Sequence, residues 1–194
     1  TEAAFFPALT RLLRQPGLLV YISPLKALIN DQQGRLQVLC GQLDLPVYPW
    51  HGDIAAPSKA RFMQQPQGVL LITPESLEAM LCSKGTQIKR LFGNTRCFII
   101  DELHAFIGSE RGKQLQAIMH RIDMEVGTPV ARVGLSATLG DMGLAAEFLR
   151  PGNGQNVEIL NAPSTGNSLK VLIKGYEEPT PMTMSSAATV DSTD

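Results

Sequence analysis

The chain predicts an α/β fold, a mostly parallel sheet with helices on both faces. Three observations lead there. Several short runs are almost continuously apolar, as in strands buried on both faces. Longer segments with helical spacing separate these runs, and such alternation builds parallel sheets. The chemically informative residues come directly after apolar runs, where open α/β sheets gather their ligands.

Taken in order, Ala3–Leu13 reads as a helix, with Pro7 tolerable if it falls near the first turn. Leu18–Ser23 is a strand, and the helix Leu25–Gln42 comes after its proline. Val47–Trp50 and Gly68–Thr73 are further strands, with helices Lys59–Gln65 and Glu75–Cys82 after them. Cys97–Asp101 is the next strand. In the helix Lys113–Val126, Leu115, Ile118, Met119 and Ile122 recur at spacings that line one face. Ala131–Ser136, the helix Asp141–Leu149 and a last strand, Val157–Leu160, complete the pattern. From Glu177 onward Pro, Thr, Ser and Met dominate, which reads as linker or disorder.

The 194 residues suffice for one domain with a sizeable core. The net charge of −1 advertises no polyanion partner. However, Glu177, Glu178, Asp191 and Asp194 lie in a stretch without Lys or Arg, so the remaining body is mildly basic and compatible with a phosphate backbone. Three cysteines, Cys40, Cys82 and Cys97, without a Cys-x-x-Cys pattern argue against a disulfide framework or metal cluster and for a reducing, cytoplasmic setting. No apolar stretch approaches the roughly 20 residues needed to span a bilayer, so no membrane partner is expected.

Four runs carry chemistry. In Ile99-Ile100-Asp101-Glu102-Leu103-His104 a buried strand would deliver two carboxylates to a sheet edge. One could hold Mg²⁺ and the other polarise a water; an ordinary strand-to-loop transition also favours acids. Gly134-Leu135-Ser136-Ala137-Thr138 sets two hydroxyls at another strand end, as a relay or simply as helix caps. Ser23-Pro24-Leu25-Lys26 and Thr73-Pro74-Glu75-Ser76 are strand–proline–helix junctions. Their helix N-termini suit a phosphate, and they are also good helix starts.

In chain order, Ser-Pro-Leu-Lys, Thr-Pro-Glu-Ser, Asp-Glu-Leu-His and Ser-Ala-Thr resemble motifs Ia, Ib, II and III of superfamily 2 helicases, the DEAD/DExH-box proteins with two RecA-like domains. The stretch Gly108-Ser109-Glu110-Arg111-Gly112 resembles the Lhr-like branch. The resemblance implies a RecA-like P-loop NTPase fold over residues 1–165, with 166–194 as a strand and linker towards a second RecA-like domain. It implies ATP and Mg²⁺ as cofactors and a nucleic-acid partner, with DNA favoured over RNA. Asp101 would coordinate Mg²⁺, Glu102 would activate the attacking water, and His104 would contact the Ser136–Thr138 loop or the second domain. Pro24, Leu25, Lys26, Thr73, Pro74 and Glu75 would line the nucleic-acid path. Gly52, in His51-Gly52-Asp53, resembles a small loop near the bound strand, and Trp50 beside it is either a base-stacking or a core aromatic.

The chain departs from the family's pattern in its phosphate loop. No Gly-Lys-Thr or Gly-Lys-Ser occurs, and Thr1-Glu2-Ala3-Ala4-Phe5 resembles the segment just after Gly-Lys in the family. Thr1 would then be the hydroxyl that ligates Mg²⁺. The expectation is a partial ATPase lobe, inactive alone, lacking its first strand and phosphate loop. Loss of an internal strand would leave two neighbours facing a gap, with marginal stability. A non-enzymatic single-strand-binding module is the alternative.

Overall fold

The computed structural model describes residues 1–137 and 140–161, and those up to Ile159 form one compact unit. Five strands, β1 (Leu18–Ile22), β2 (Val47–Trp50), β3 (Gly68–Ile72), β4 (Thr95–Ile100) and β5 (Ala131–Gly134), make one sheet in the order β2-β3-β1-β4-β5. All neighbours pair in parallel. Seven α-helices accompany them among the described residues: α1 (Glu2–Arg14), α2 (Lys26–Gly41), α3 (Ala56–Gln64), α4 (Pro74–Ser83), α5 (Ile88–Phe92), α6 (Glu110–Val126) and α7 (Met142–Leu149).

Successive strand residues serve opposite faces, because side chains alternate across a pleated strand. Leu18, Val20, Ile22, Leu70, Ile72, Phe98 and Ile100 pack with Phe62 of α3, Leu77 of α4, Leu115 and Ile118 of α6 and Phe148 of α7. Leu19, Tyr21, Val69, Leu71, Cys97 and Ile99 pack with Phe5 and Leu9 of α1 and Ile29 and Leu36 of α2. Strands β1 and β3 are buried along their whole length, as their unbroken apolar runs require. Burial raises the thiols of Cys40 and Cys97 to about 11, so both behave as small core residues.

The structure corrects several expectations. Val157–Leu160 is not a strand. A 3-10 turn at Gly154–Asn156 precedes it, Val157 alone packs against the core, and Ile159 and Leu160 are exposed. Pro7 lies in the second turn of α1, on its exposed face, where its missing N–H costs the helix one hydrogen bond. The short helix α5 carries too few residues to show a period. No gap divides the described strands. β5 instead forms an edge, half-buried throughout, so a strand added there would extend the sheet rather than fill it. The expected strand near Lys170–Tyr176 and the tail lie outside the described residues.

Gly112 marks the closest approach of α6 to the turn before it. A Cβ built there would stand 1.9 Å from the Phe106 carbonyl oxygen, which is backbone and cannot yield. Gly112→Ala is expected to cost about 2 kcal/mol by forcing α6 outward. Urea denaturation checks this.

Candidate active site

Because the register aligns Trp50 with Ile72, Ile72 with Ile22, Ile22 with Ile100 and Ile100 with Gly134, all five strands end at one level. The five segments that leave them share one rim. Asp101 N–H donates to the Ile22 carbonyl at 2.9 Å, Leu103 N–H to Leu135 at 2.8 Å and Ser23 N–H to Ile72 at 3.2 Å. The loops are thus stitched to one another beyond the strands.

Asp101 is held on both oxygens. The Glu102 N–H donates to Oδ1 at 3.0 Å, and the Tyr21 hydroxyl donates to Oδ2. Tyr21 is fully buried in β1 and its ring packs 5.4 Å from Phe5 of α1. Burial, reinforced by the hydrogen bond to Asp101, pushes its phenol well above the usual tyrosine range, so it remains a donor. Each Asp101 oxygen keeps a second lone pair for a cation or its waters. Among the described residues no group of three or more His, Cys, Asp and Glu is placed to hold a metal ion.

Glu102 adopts left-handed backbone, φ 49° and ψ 48°. A non-glycine residue there stores about 1 kcal/mol. The turn aims its N–H at Asp101 and its carboxylate at His104. Nδ1 of His104 lies 3.3 Å from Glu102 Oε2 and 3.1 Å from Ser136 Oγ, so one ring nitrogen joins the acidic turn of β4 to the loop after β5. Asp101, Glu102, His104 and Ser136 therefore meet, as the sequence predicts. Thr138 lies outside the described residues. Thr1 opens α1 without a capping hydrogen bond, and its amine is 3.5 Å from Glu2 Oε2.

The junction residues divide. Leu25 precedes α2 and provides no side-chain cap, so the first amides of that helix lack one. Lys26 beside them pairs with Asp53 at 3.1 Å on the surface. Gly52 abuts Lys26, with its notional Cβ 3.6 Å from Nζ. His51 is buried, with Nε2 2.9 Å from Asn30 Oδ1. Trp50 packs edge-on against Phe62 at 5.7 Å, with Lys59 5.7 Å from its ring. Thr73 caps α4 by accepting from Ser76 N–H at 3.3 Å, and Pro74 is buried at its first turn. Glu75 faces Arg111 rather than open solvent alone: Nη2 donates to its Oε2 at 3.0 Å and Nε donates to Oε1.

Two residues are invisible to sequence reasoning. Tyr21 reads as one more member of an apolar run, although a phenol inside a fully buried strand requires a partner. Arg111 is one letter of a branch signature, and its partners lie far away in the chain.

With this geometry established, the likeness to known proteins is specific. The family model for the DEAD/DEAH box helicase matches residues 1–144. The Lhr helicase/uracil glycosylase of Escherichia coli K12 is 35% identical over an alignment covering 84% of this chain and 12% of that protein. An ATP-dependent helicase Lhr-Core of Methanothermobacter thermautotrophicus is 30% identical, over 67% of this chain and 16% of its own length. The solved Lhr helicase of Mycobacterium smegmatis bound to ssDNA and AMP-PNP superposes with a TM-score of 0.64 and 33% identity, over 75% of this chain and 20% of that one. The chain thus spans about an eighth to a fifth of the length of these relatives. Four motif residues gathered on one parallel-sheet rim, together with the match over residues 1–144, place this chain in the DEAD/DEAH box helicase family.

Proposed function

We propose that the chain serves as the ATP-binding lobe of an ATP-dependent DNA helicase or translocase, working beside a second RecA-like domain. The bridge from Glu102 through His104 to Ser136 is the observation that supports this most, because it ties a water-activating carboxylate to a loop on the neighbouring strand. Bound MgATP supplies the electrophilic γ-phosphate and the cation that screens its charge. Asp101, fixed by Tyr21, would hold the ion, and the Thr1 hydroxyl is the second ligand we assign to it. Glu102 orients the attacking water and takes its proton. We assign residues 1–165 of the sequence to the lobe and 166–194 to the link with its partner domain. We assign the chain to the cytoplasm, a reading that the three free cysteines support.

A DNA strand would pass over the junctions, its phosphates meeting the uncapped start of α2 and Lys26. Lys26 exchanges its exposed, weakly held partner Asp53 for phosphate at little cost. Fluorescence anisotropy with a labelled single-stranded DNA tests this. Affinity should fall steeply as salt rises, and Lys26→Ala should reduce the salt slope by about one. RNA of the same sequence should bind more weakly. An unchanged slope would remove Lys26 from the path, and no binding at all would overturn the strand-holding role.

A further inference from the structure

The second residue of α6, Arg111, reaches across the rim to both strand–proline–helix junctions. Its guanidinium makes a two-pronged contact with Glu75 at the start of α4, and Nη2 also donates to the Pro24 carbonyl ahead of α2, at 2.8 Å. Its Cζ lies 5.5 Å from the centre of the Phe106 ring. Phe106 is fully buried and comes directly after the turn that carries His104. Its carbonyl accepts from the Ser109 hydroxyl at 2.8 Å, which fixes the start of α6 to the acidic turn. One side chain therefore joins three segments: the acidic turn, the β1–α2 junction and the β3–α4 junction.

We infer that Arg111 is a positioning residue that sets the spacing of the two junctions for gripping a nucleic-acid strand, and that Glu75 serves this clamp rather than the strand. The inference rests on the strand-holding role proposed above. The chemistry favours it. A carboxylate beside a phosphate path repels the ligand unless a cation occupies it, and here the cation is already committed. Burial raises the Glu75 carboxyl, but the Arg111 and backbone hydrogen bonds outweigh this and lower it overall, so it stays ionised for the pair. Arginine suits the position because its planar fork spans a carboxylate and a carbonyl at once and lies over an aromatic ring. Lysine would preserve charge alone.

Glu75→Gln separates the clamp from simple electrostatics by sign. If Glu75 is merely an acid near the strand, its neutralisation tightens single-stranded DNA binding. If it anchors Arg111, neutralisation loosens binding, and we expect roughly a threefold to tenfold rise in Kd. Arg111→Lys should weaken binding by a similar factor while leaving the salt slope of the unmodified chain intact, because the guanidinium touches no phosphate. Arg111→Lys with Glu75→Gln should be no weaker than either alone. Tighter binding in Glu75→Gln, or full affinity in Arg111→Lys, would overturn the clamp. A slope reduced by about one in Arg111→Lys would overturn it too, by making Arg111 a phosphate ligand. Circular dichroism on each variant confirms that these similar-sized replacements stay folded. Failure of the unmodified chain to bind single strands would instead remove the strand-holding role itself.

Discussion

Glu102→Gln should lower ATP turnover by about 10²- to 10⁴-fold, the usual contribution of a positioned general base. The measurement belongs in a polypeptide that joins this lobe to a Gly-Lys phosphate loop and a second RecA-like domain. Glutamine preserves size and can still meet His104, but it cannot accept the proton of the attacking water. Asp101 remains anchored by Tyr21 and by the backbone at position 102, so nucleotide binding should survive. The expected signature is a fall in kcat with KM for ATP within a few-fold of its starting value, which marks an interaction made in the transition state. A parallel loss of nucleotide affinity would show that Glu102 holds the ground state instead. Unchanged turnover would take the catalytic role away from it.

Asp123→Ala should destabilise the domain by about 3 to 5 kcal/mol, the cost of stranding a buried charge. Asp123 and Arg132 form an ion pair whose side chains are 13% and 5% exposed, which places it well outside the surface class. Asp123 also accepts from Val130 N–H at 2.9 Å, and Arg132 donates to the Leu149 carbonyl at 2.9 Å. The pair thus fastens the end of α6 to β5 and to α7. Burial lowers the Arg132 guanidinium from its usual value and Asp123 only partly restores it. Removing both charges with Asp123→Ala and Arg132→Met should recover much of the loss, since the solvation penalty disappears with them. Urea unfolding of the two variants provides the comparison. A loss under about 1 kcal/mol in the single variant would mean that water screens the pair like any surface bridge.

The legible features of the chain are those set by physics at short range. Strands β1, β3 and β4 announce themselves because burial on both faces demands unbroken apolar residues, and their ends place Asp101, Glu102 and the two proline junctions without further information. His104 and Ser136 need only the knowledge that β4 and β5 are neighbours. Val157–Leu160 misleads because alternation of apolar residues says nothing about whether a neighbouring strand is present. Arg111 stays hidden because its partners are 36 and 87 residues away, and no local pattern records a contact of that span. Glu75 meets its cation across the same kind of distance, since Arg111 comes from a helix 36 residues further along the chain.

Tyr21 gives the domain a weakness towards strong alkali. In the unfolded chain its phenol ionises near pH 10, whereas within the sheet the loss of water and the bond to Asp101 hold the proton on. The stabilisation is complete below that pH and drains away above it, because the unfolded form alone gains from releasing the proton. Base therefore works on the Asp101 side chain from below, by dissolving the strand on which its anchor stands.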